Sequence, residues 1–266
     1  MRHQRYGRMF ARLDAAGEGA LGAFLMLGDP DAETSFALLD AAVAGGADML
    51  EVGIAFSDPV ADGPVIQAAA QRALAGGITP RASFELIARL RERHAEVPIG
   101  ILTYANLVVA RGLEDFCAAA ARAGADSLLV ADVPSLEAAR FADAAREAGL
   151  DPVLIAAPNT GAAALERIAA LGSGYIYCVA RAGVTGQRAD MALDHDALFD
   201  RLRALGAPPP VLGFGISTPA QVRAGLAAGA AGVICGSAIV AAAQAASDPA
   251  AAVREFVATL KAATRG

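Results

Sequence analysis

The sequence is poor in what most metal, redox and nucleic-acid sites are built from. Its three cysteines, Cys117, Cys178 and Cys235, are an odd number without CxxC spacing, each in an apolar segment. They read as reduced core thiols, not as a disulfide or zinc framework. The three histidines, His3, His94 and His195, stand singly with no ligand spacing of the HExxH kind. No protein-bound metal is therefore expected. Basic charge is also short: 22 Lys and Arg face 28 Asp and Glu, a formal net charge of −6. Nucleic-acid binding draws most of its affinity from a basic face, so that class is set aside. No like-charge run marks a tail or a polybasic anchor. The start, MRHQRYGRMFARLD, has no apolar segment of the signal-peptide type. Nowhere is there an unbroken apolar run of about 18 residues. The expectation is a soluble cytoplasmic protein that binds neither nucleic acid nor membrane.

Linkers are missing too. No proline-rich or serine-rich stretch divides the 266 residues, and 55% of them are hydrophobic, enough for one sizeable core. What the chain does have is alternation. Short β-type runs at Ala20–Leu27, Met49–Val52, Ile99–Thr103, Ser127–Val130, Val153–Ala156, Tyr175–Val179, Val211–Phe214 and Gly232–Cys235 are separated by helical spacing. Phe84, Ile87, Ala88 and Leu90 show that spacing, as do Phe141, Ala144 and Ala145. Strands alternating with helices imply a parallel sheet with crossovers. Eight such units in an undivided chain predict a single (β/α)8 barrel domain over 1–266. Glycines at 46, 124, 149, 172 and 229 fall where helices should end. The phrases AGGAD, RAGAD and LAAGAAG read as one helix-to-strand turn used repeatedly. Residues 1–16 read as an extra amphipathic helix that plugs the barrel bottom.

In such a barrel the reactive groups belong at the carboxyl ends of the strands. Glu51 lies inside the apolar run Met49–Val52, on the face of Met49 and Gly53. A charge there is costly unless it is paired or used, and no Arg or Lys lies nearby in sequence. Eleven residues on, Asp62 follows a loop holding Ser57-Asp58-Pro59 and Asp62-Gly63-Pro64. Asp58 and Asp62 also fit as ordinary turn formers. Held over the barrel mouth, however, Asp62 would face Glu51, and unequal burial separates an acid from a base.

A second signal comes from GFGIST (213–218) and CGSAIV (235–240). Glycines after the last two strands let backbone N–H groups approach an anion, and a helix starting near Ser237 adds its positive end. Tight turns without a ligand remain the alternative. A dinucleotide reading of Gly213-Phe214-Gly215 fails, because the third glycine and a following acidic strand end are missing. The polar stretch 181–194, with Gly183 and Gly186, has the composition of a lid or of a flexible surface loop.

Taken together, the string from Glu51 to Gln67 and the motifs LGDP, YANLV, VADVP, GVTG, GFGIS and GSAIV resemble the tryptophan synthase alpha chain family over essentially the whole chain. The resemblance implies retro-aldol cleavage of indole-3-glycerol phosphate to indole and glyceraldehyde 3-phosphate, without cofactor or metal. It assigns catalysis to Glu51 and Asp62. It gives the indole ring to Phe24, Leu102, Leu129, Ile155, Tyr177 and Phe214, with Tyr104 beside the carboxylates and Thr185 orienting Asp62. Gly186, Gly215, Gly236 and Ser237 would hold the phosphate. Asp58, Asn106 and Pro134 match positions facing a tryptophan synthase beta chain in an α2β2 heterotetramer. Ala55 belongs to the same partner-facing set but departs from the family, which usually has proline there; its φ is free where proline would stiffen the loop. A partner-free lyase, a non-catalytic regulatory subunit and a sugar-phosphate isomerase on the same barrel are the competing readings.

Overall fold

A computed structural model describes residues 5–179, 195–213 and 215–265. Helix α1 (Arg5–Ala15) precedes β1 (Ala20–Met26), α2 (Ala32–Ala44), β2 (Met49–Gly53), α3 (Pro64–Ala75), α4 (Pro80–Arg93) and β3 (Ile99–Thr103). Then come α5 (Ala105–Arg111), α6 (Leu113–Ala123), β4 (Ser127–Val130), α7 (Ala138–Ala148), β5 (Asp151–Pro152), β6 (Leu154–Ala156), α8 (Ala162–Leu171) and β7 (Ile176–Val179). The chain ends with α9 (Asp196–Ala204), β8 (Pro210–Gly213), α10 (Pro219–Ala227), β9 (Gly232–Cys235), α11 (Ser237–Ala245) and α12 (Pro249–Ala262).

All strand pairs in the sheet are parallel, and the strand order runs β5-β4-β3-β2-β1-β9-β8-β7-β6. The two ends of that order, β5 and β6, are consecutive in the chain and separated only by Val153. They are two halves of one interrupted strand, one pairing with β4 and the other with β7, so the sheet closes into a ring of eight positions. The expected strand at Val153–Ala156 is thus shifted and split. Pro152, the last residue of β5, has no N–H to give the ladder. Val153 N–H still bonds to the Leu128 carbonyl at 3.0 Å. The strand expected from Tyr175 begins one residue later, at Ile176, and Phe214 lies outside the described residues.

Both faces of the strands are covered, so they read as continuous apolar runs rather than alternating ones. Helices start on caps legible in sequence: Asp31, Thr79, Thr218 and Asp248 each accept a backbone N–H of the first turn. Gly124 and Gly149 close α6 and α7 in the left-handed conformation, as expected. Gly172 does not: its φ is −73°, and α8 ends by turning directly into extended backbone. The three cysteines are free and buried, and burial pushes the Cys178 and Cys235 thiols up to about 12. Among the described residues no helix is long and apolar enough to cross a membrane.

The repeated helix-to-strand turn has a definite task at the amino-terminal end of the barrel. Asp48, last residue of AGGAD, accepts the Leu21 N–H at 3.0 Å and pairs with Lys261 at 2.8 Å and Arg12 at 3.0 Å. Asp126, last residue of RAGAD, accepts the Ile99 N–H at 2.8 Å and pairs with Arg5 at 2.7 Å and Arg91 at 2.5 Å. Each aspartate therefore ties its own strand to the preceding one and to α1. Helix α1 lies across this end, burying Tyr6, Met9 and Leu13 as the expected plug. Removing a buried partner leaves the others desolvated and unpaired. Asp126→Ala is expected to cost about 3 kcal/mol, read as a lower urea midpoint than wild type. An unchanged midpoint would show that Arg5, Arg91 and the Ile99 amide are satisfied without it.

Candidate active site

A cavity of about 550 Å³, its open mouth included, sits at the carboxyl end of the barrel. That size suits a small organic ligand. Phe24, Glu51, Asp62, Leu102, Tyr177, Gly215, Gly236 and Ser237, all singled out from sequence, line it together. Each arrives on a different element: Phe24 on β1, Glu51 on β2, Asp62 from the β2–α3 loop, Leu102 on β3, Tyr177 on β7 and Ser237 at the start of α11. Strand alternation delivers the inward residues, and the register sets their depth. Phe24 stands beside Glu51 on the neighbouring strand, and Gly53 beside Leu102.

Missing side chains shape the walls as much as the ones present. A methyl group at Gly213 would lie 2.1 Å from the Tyr177 ring, so glycine there lets Tyr177 lean onto β8. At Gly236 a methyl would lie 3.1 Å from Phe24. Phe24, Leu102, Tyr177 and Ile234 give the cavity its apolar side.

Glu51 is only 3% exposed, and the group that reaches it is a hydroxyl, not a cation: Tyr175 Oη donates to its Oε1 at 3.3 Å. Burial pushes the Glu51 carboxyl up to about 8; the Tyr175 hydrogen bond pulls it down, and the nearby Asp62 charge adds to the rise. Asp62, 5% exposed, is raised to about 6, again by burial, opposed by a hydrogen bond from Tyr104. At neutral pH one carboxyl keeps its proton and the other does not.

The Asp62 loop is built to hold that side chain. Asp62 N–H turns back onto the Pro59 carbonyl at 3.1 Å, and Gln67 Nε2 donates to the Asp62 carbonyl at 2.8 Å. Tyr104, which follows β3 directly, packs on Phe56 with ring centroids 5.4 Å apart. Its hydroxyl accepts the Ala61 N–H at 3.2 Å and bonds Asp62. Tyr104 is thus absent from the cavity lining and acts behind Asp62. Burial and the Asp62 charge keep its phenol proton firmly in place.

Gly236 and Ser237, where α11 begins, and Gly215, in the connection from β8 to α10, also line the cavity. The first turn of a helix leaves backbone N–H groups without a partner within the helix. Sequence reasoning missed Ile66, Ile216, Ser217, Ile234 and Ala238, which complete the lining. Ile234 was recoverable, since it lies on β9 two residues before Gly236. Ile66 and Ala238 belong to first helical turns, and only the packing of α3 and α11 turns them inward. Leu129 is buried and absent from the lining, while Ile155 opens onto a separate hollow shared with Pro134. Thr185, Gly186 and Phe214, with the whole stretch expected as a lid, lie outside the described residues. Asp58, Asn106 and Pro134 are exposed, whereas the Ala55 side chain is buried. Among the described residues no group of three or more His, Cys, Asp or Glu is placed to hold a metal.

The family model for the tryptophan synthase alpha chain matches residues 10–265. The tryptophan synthase alpha chain of Aeromonas salmonicida is 54% identical over 235 residues, covering 88% of each chain. That of Shewanella amazonensis is 49% identical over 264 residues, covering 98% of this chain and 99% of the relative. Among solved structures, tryptophan synthase from Mycobacterium tuberculosis superposes with a TM-score of 0.89 at 31% identity, over 98% of both chains. Tryptophan synthase subunit alpha from Legionella pneumophila gives 0.86 at 31% identity, also over 98% of both. The chain belongs to the tryptophan synthase alpha chain family.

Proposed function

We propose that Glu51 and Asp62 carry the reaction of this family, retro-aldol cleavage of indole-3-glycerol phosphate to indole and glyceraldehyde 3-phosphate. The observation that carries the assignment is the pair of buried carboxyl groups facing one cavity, one raised to about 8 and the other to about 6. Unequal surroundings of this kind separate an acid from a base. Protonated Glu51 gives its proton to C3 of the indole ring. Ionised Asp62 accepts a hydrogen bond from the ring N–H and stabilises the positive charge that develops there. The C3–glycerol bond then breaks as the adjacent hydroxyl loses its proton to Glu51, leaving an aldehyde and restoring the acid. The net change moves one proton from hydroxyl to ring carbon, so no redox partner enters.

The apolar side formed by Phe24, Leu102, Tyr177 and Ile234 suits the indole ring, and the start of α11 with Gly215, Gly236 and Ser237 suits the phosphate. Leu129, on β4 beside Leu102, and Ile155, on β6 beside Tyr177, are proposed as further ring contacts. Thr185 is proposed to orient Asp62, Phe214 to join the ring contacts and Gly186 to complete the phosphate site. Pairing with a beta chain as α2β2 is supported by the segments that follow β2, β3 and β4, the one after β3 being helix α5. There Asp58, Asn106 and Pro134 are exposed beside Val60, Val109 and Leu136, large apolar side chains left in water. Such apolar exposure rimmed by polar residues marks a partner surface.

Three outcomes test these assignments. Glu51→Gln and Asp62→Asn, each close in shape to the original, are expected to lower indole release on the order of 10²–10⁴-fold. Retention of wild-type release by a folded Glu51→Gln protein would remove Glu51 from the chemistry. Activity against pH is expected to be bell-shaped, rising through about 6 as Asp62 ionises and falling through about 8 as Glu51 does. A profile flat between 5 and 9, on the order of those limits, contradicts the acid and base roles. Finally, Leu136→Asp is expected to weaken association with a beta chain in sedimentation while indole release by the isolated chain holds. Unchanged association places the partner elsewhere.

A further inference from the structure

Beneath Glu51 the barrel interior is polar where a (β/α)8 core is ordinarily filled with branched apolar side chains. Register runs Phe24, Glu51, Gly100, Ser127 across four adjacent strands. Gly100 contributes no side chain, and hydroxyls from three other elements enter the space it leaves. A methyl at Gly100 would lie 2.6 Å from Ser127 Oγ, 2.9 Å from Tyr6 Oη and 3.8 Å from Tyr175 Oη. Tyr6 Oη and Ser127 Oγ share a hydrogen bond of 2.8 Å. The Tyr6 and Tyr175 rings meet with centroids 5.3 Å apart, tilted by 59°. Tyr175 in turn donates to Glu51.

Tyr6 is not a barrel residue. It sits on α1, the helix laid across the amino-terminal end, and both tyrosines are almost fully excluded from water. The helix is pinned there by the Arg5–Asp126 and Arg12–Asp48 pairs. A plug needs only apolar bulk, which Met9 and Leu13 supply. A phenol that reaches into the core, finds a serine and carries the ring bonded to Glu51 does more than fill space.

We infer that Tyr6 is a positioning residue for the lyase reaction: through its contact with Tyr175, helix α1 sets the place of the Glu51 carboxyl. The inference rests on the assignment of Glu51 as the proton donor. The Tyr6 ring is the floor on which Tyr175 stands, and Ser127 holds that floor by its hydroxyl. Shortening Tyr6 lets the Tyr175 hydroxyl sink away from Glu51, and the carboxyl loses the neighbour that fixes its direction. Binding of substrate, which depends on groups nearer the mouth, is untouched.

The test measures indole release for Tyr6→Leu, Tyr6→Phe, Tyr175→Phe and the Tyr6→Leu/Tyr175→Phe double variant, each checked by circular dichroism and thermal melting. Tyr6→Leu is expected to lower kcat on the order of tenfold, as small misplacements of reacting groups do, with KM within about twofold. The double variant is expected to be no slower than Tyr175→Phe alone, because the two residues act through one contact. Tyr6→Phe keeps the ring under Tyr175 while losing the bond to Ser127, and is expected to be slowed less than Tyr6→Leu; an equal loss in both would show that the ring does not support Tyr175. If Tyr6→Leu does not fold, Tyr6→Met takes its place in the same cycle. Wild-type kcat in the folded variant, or losses that add fully in the double variant, overturns the inference. Retained activity of Glu51→Gln would instead overturn the assignment on which it rests, and the two failures are read from different proteins.

Discussion

A carboxylic acid taken out of water is the constraint around which this molecule is arranged. Glu51 stands on β2 of a closed sheet, and among the described residues no cation is beside it to repay the lost hydration. An isolated buried charge would be prohibitive, so the group keeps its proton instead. That single fact makes its surroundings legible. The tyrosine hydroxyl on one oxygen, the glycine opposite on β3 and the phenol of α1 below are what a buried acid needs to stay in one orientation. Asp62 is the counterpart. It sits on a loop nearer the mouth and is raised less, so two similar side chains are held in different surroundings.

The far end of the barrel supplies the rigidity that such a site requires. Asp48 and Asp126 each bridge two strands and several cations through one short turn. Splitting of the fifth strand at Val153 leaves the ring closed, because each half pairs with its own neighbour. Stability and chemistry thus occupy opposite ends, as the fold generally arranges them. Residues 5–15 connect the two ends, since Tyr6 is fixed at the bottom and touches the residue bonded to Glu51.

Much of this was legible beforehand. The alternation of strands with helices, the plug helix, and the carboxylates at 51 and 62 follow from local pattern, and the strands at 99–103, 127–130 and 232–235 are found where the pattern puts them. Misreadings have local causes. Pro152 interrupts the fifth strand by lacking a donor, and Gly172 leaves its helix without the left-handed turn that its neighbours use. Tyr104 was expected beside the carboxylates, and its hydroxyl bonds Asp62 and the Ala61 amide.

By itself the sequence determined the fold class, the family and the two carboxyl groups, because periodicity and local motifs are properties of neighbouring residues. Only tertiary structure decided which hydroxyl meets Glu51. Tyr6, Ser127 and Tyr175 are separated by up to 169 positions, and nothing in their local sequence points from one to another. They meet because the sheet closes, because parallel register sets the height of each inward side chain, and because Gly100 leaves room at that height. The acidity of Glu51 belongs to the same category. It depends on how completely the closed barrel excludes water, which is a property of the whole ring and of no segment within it.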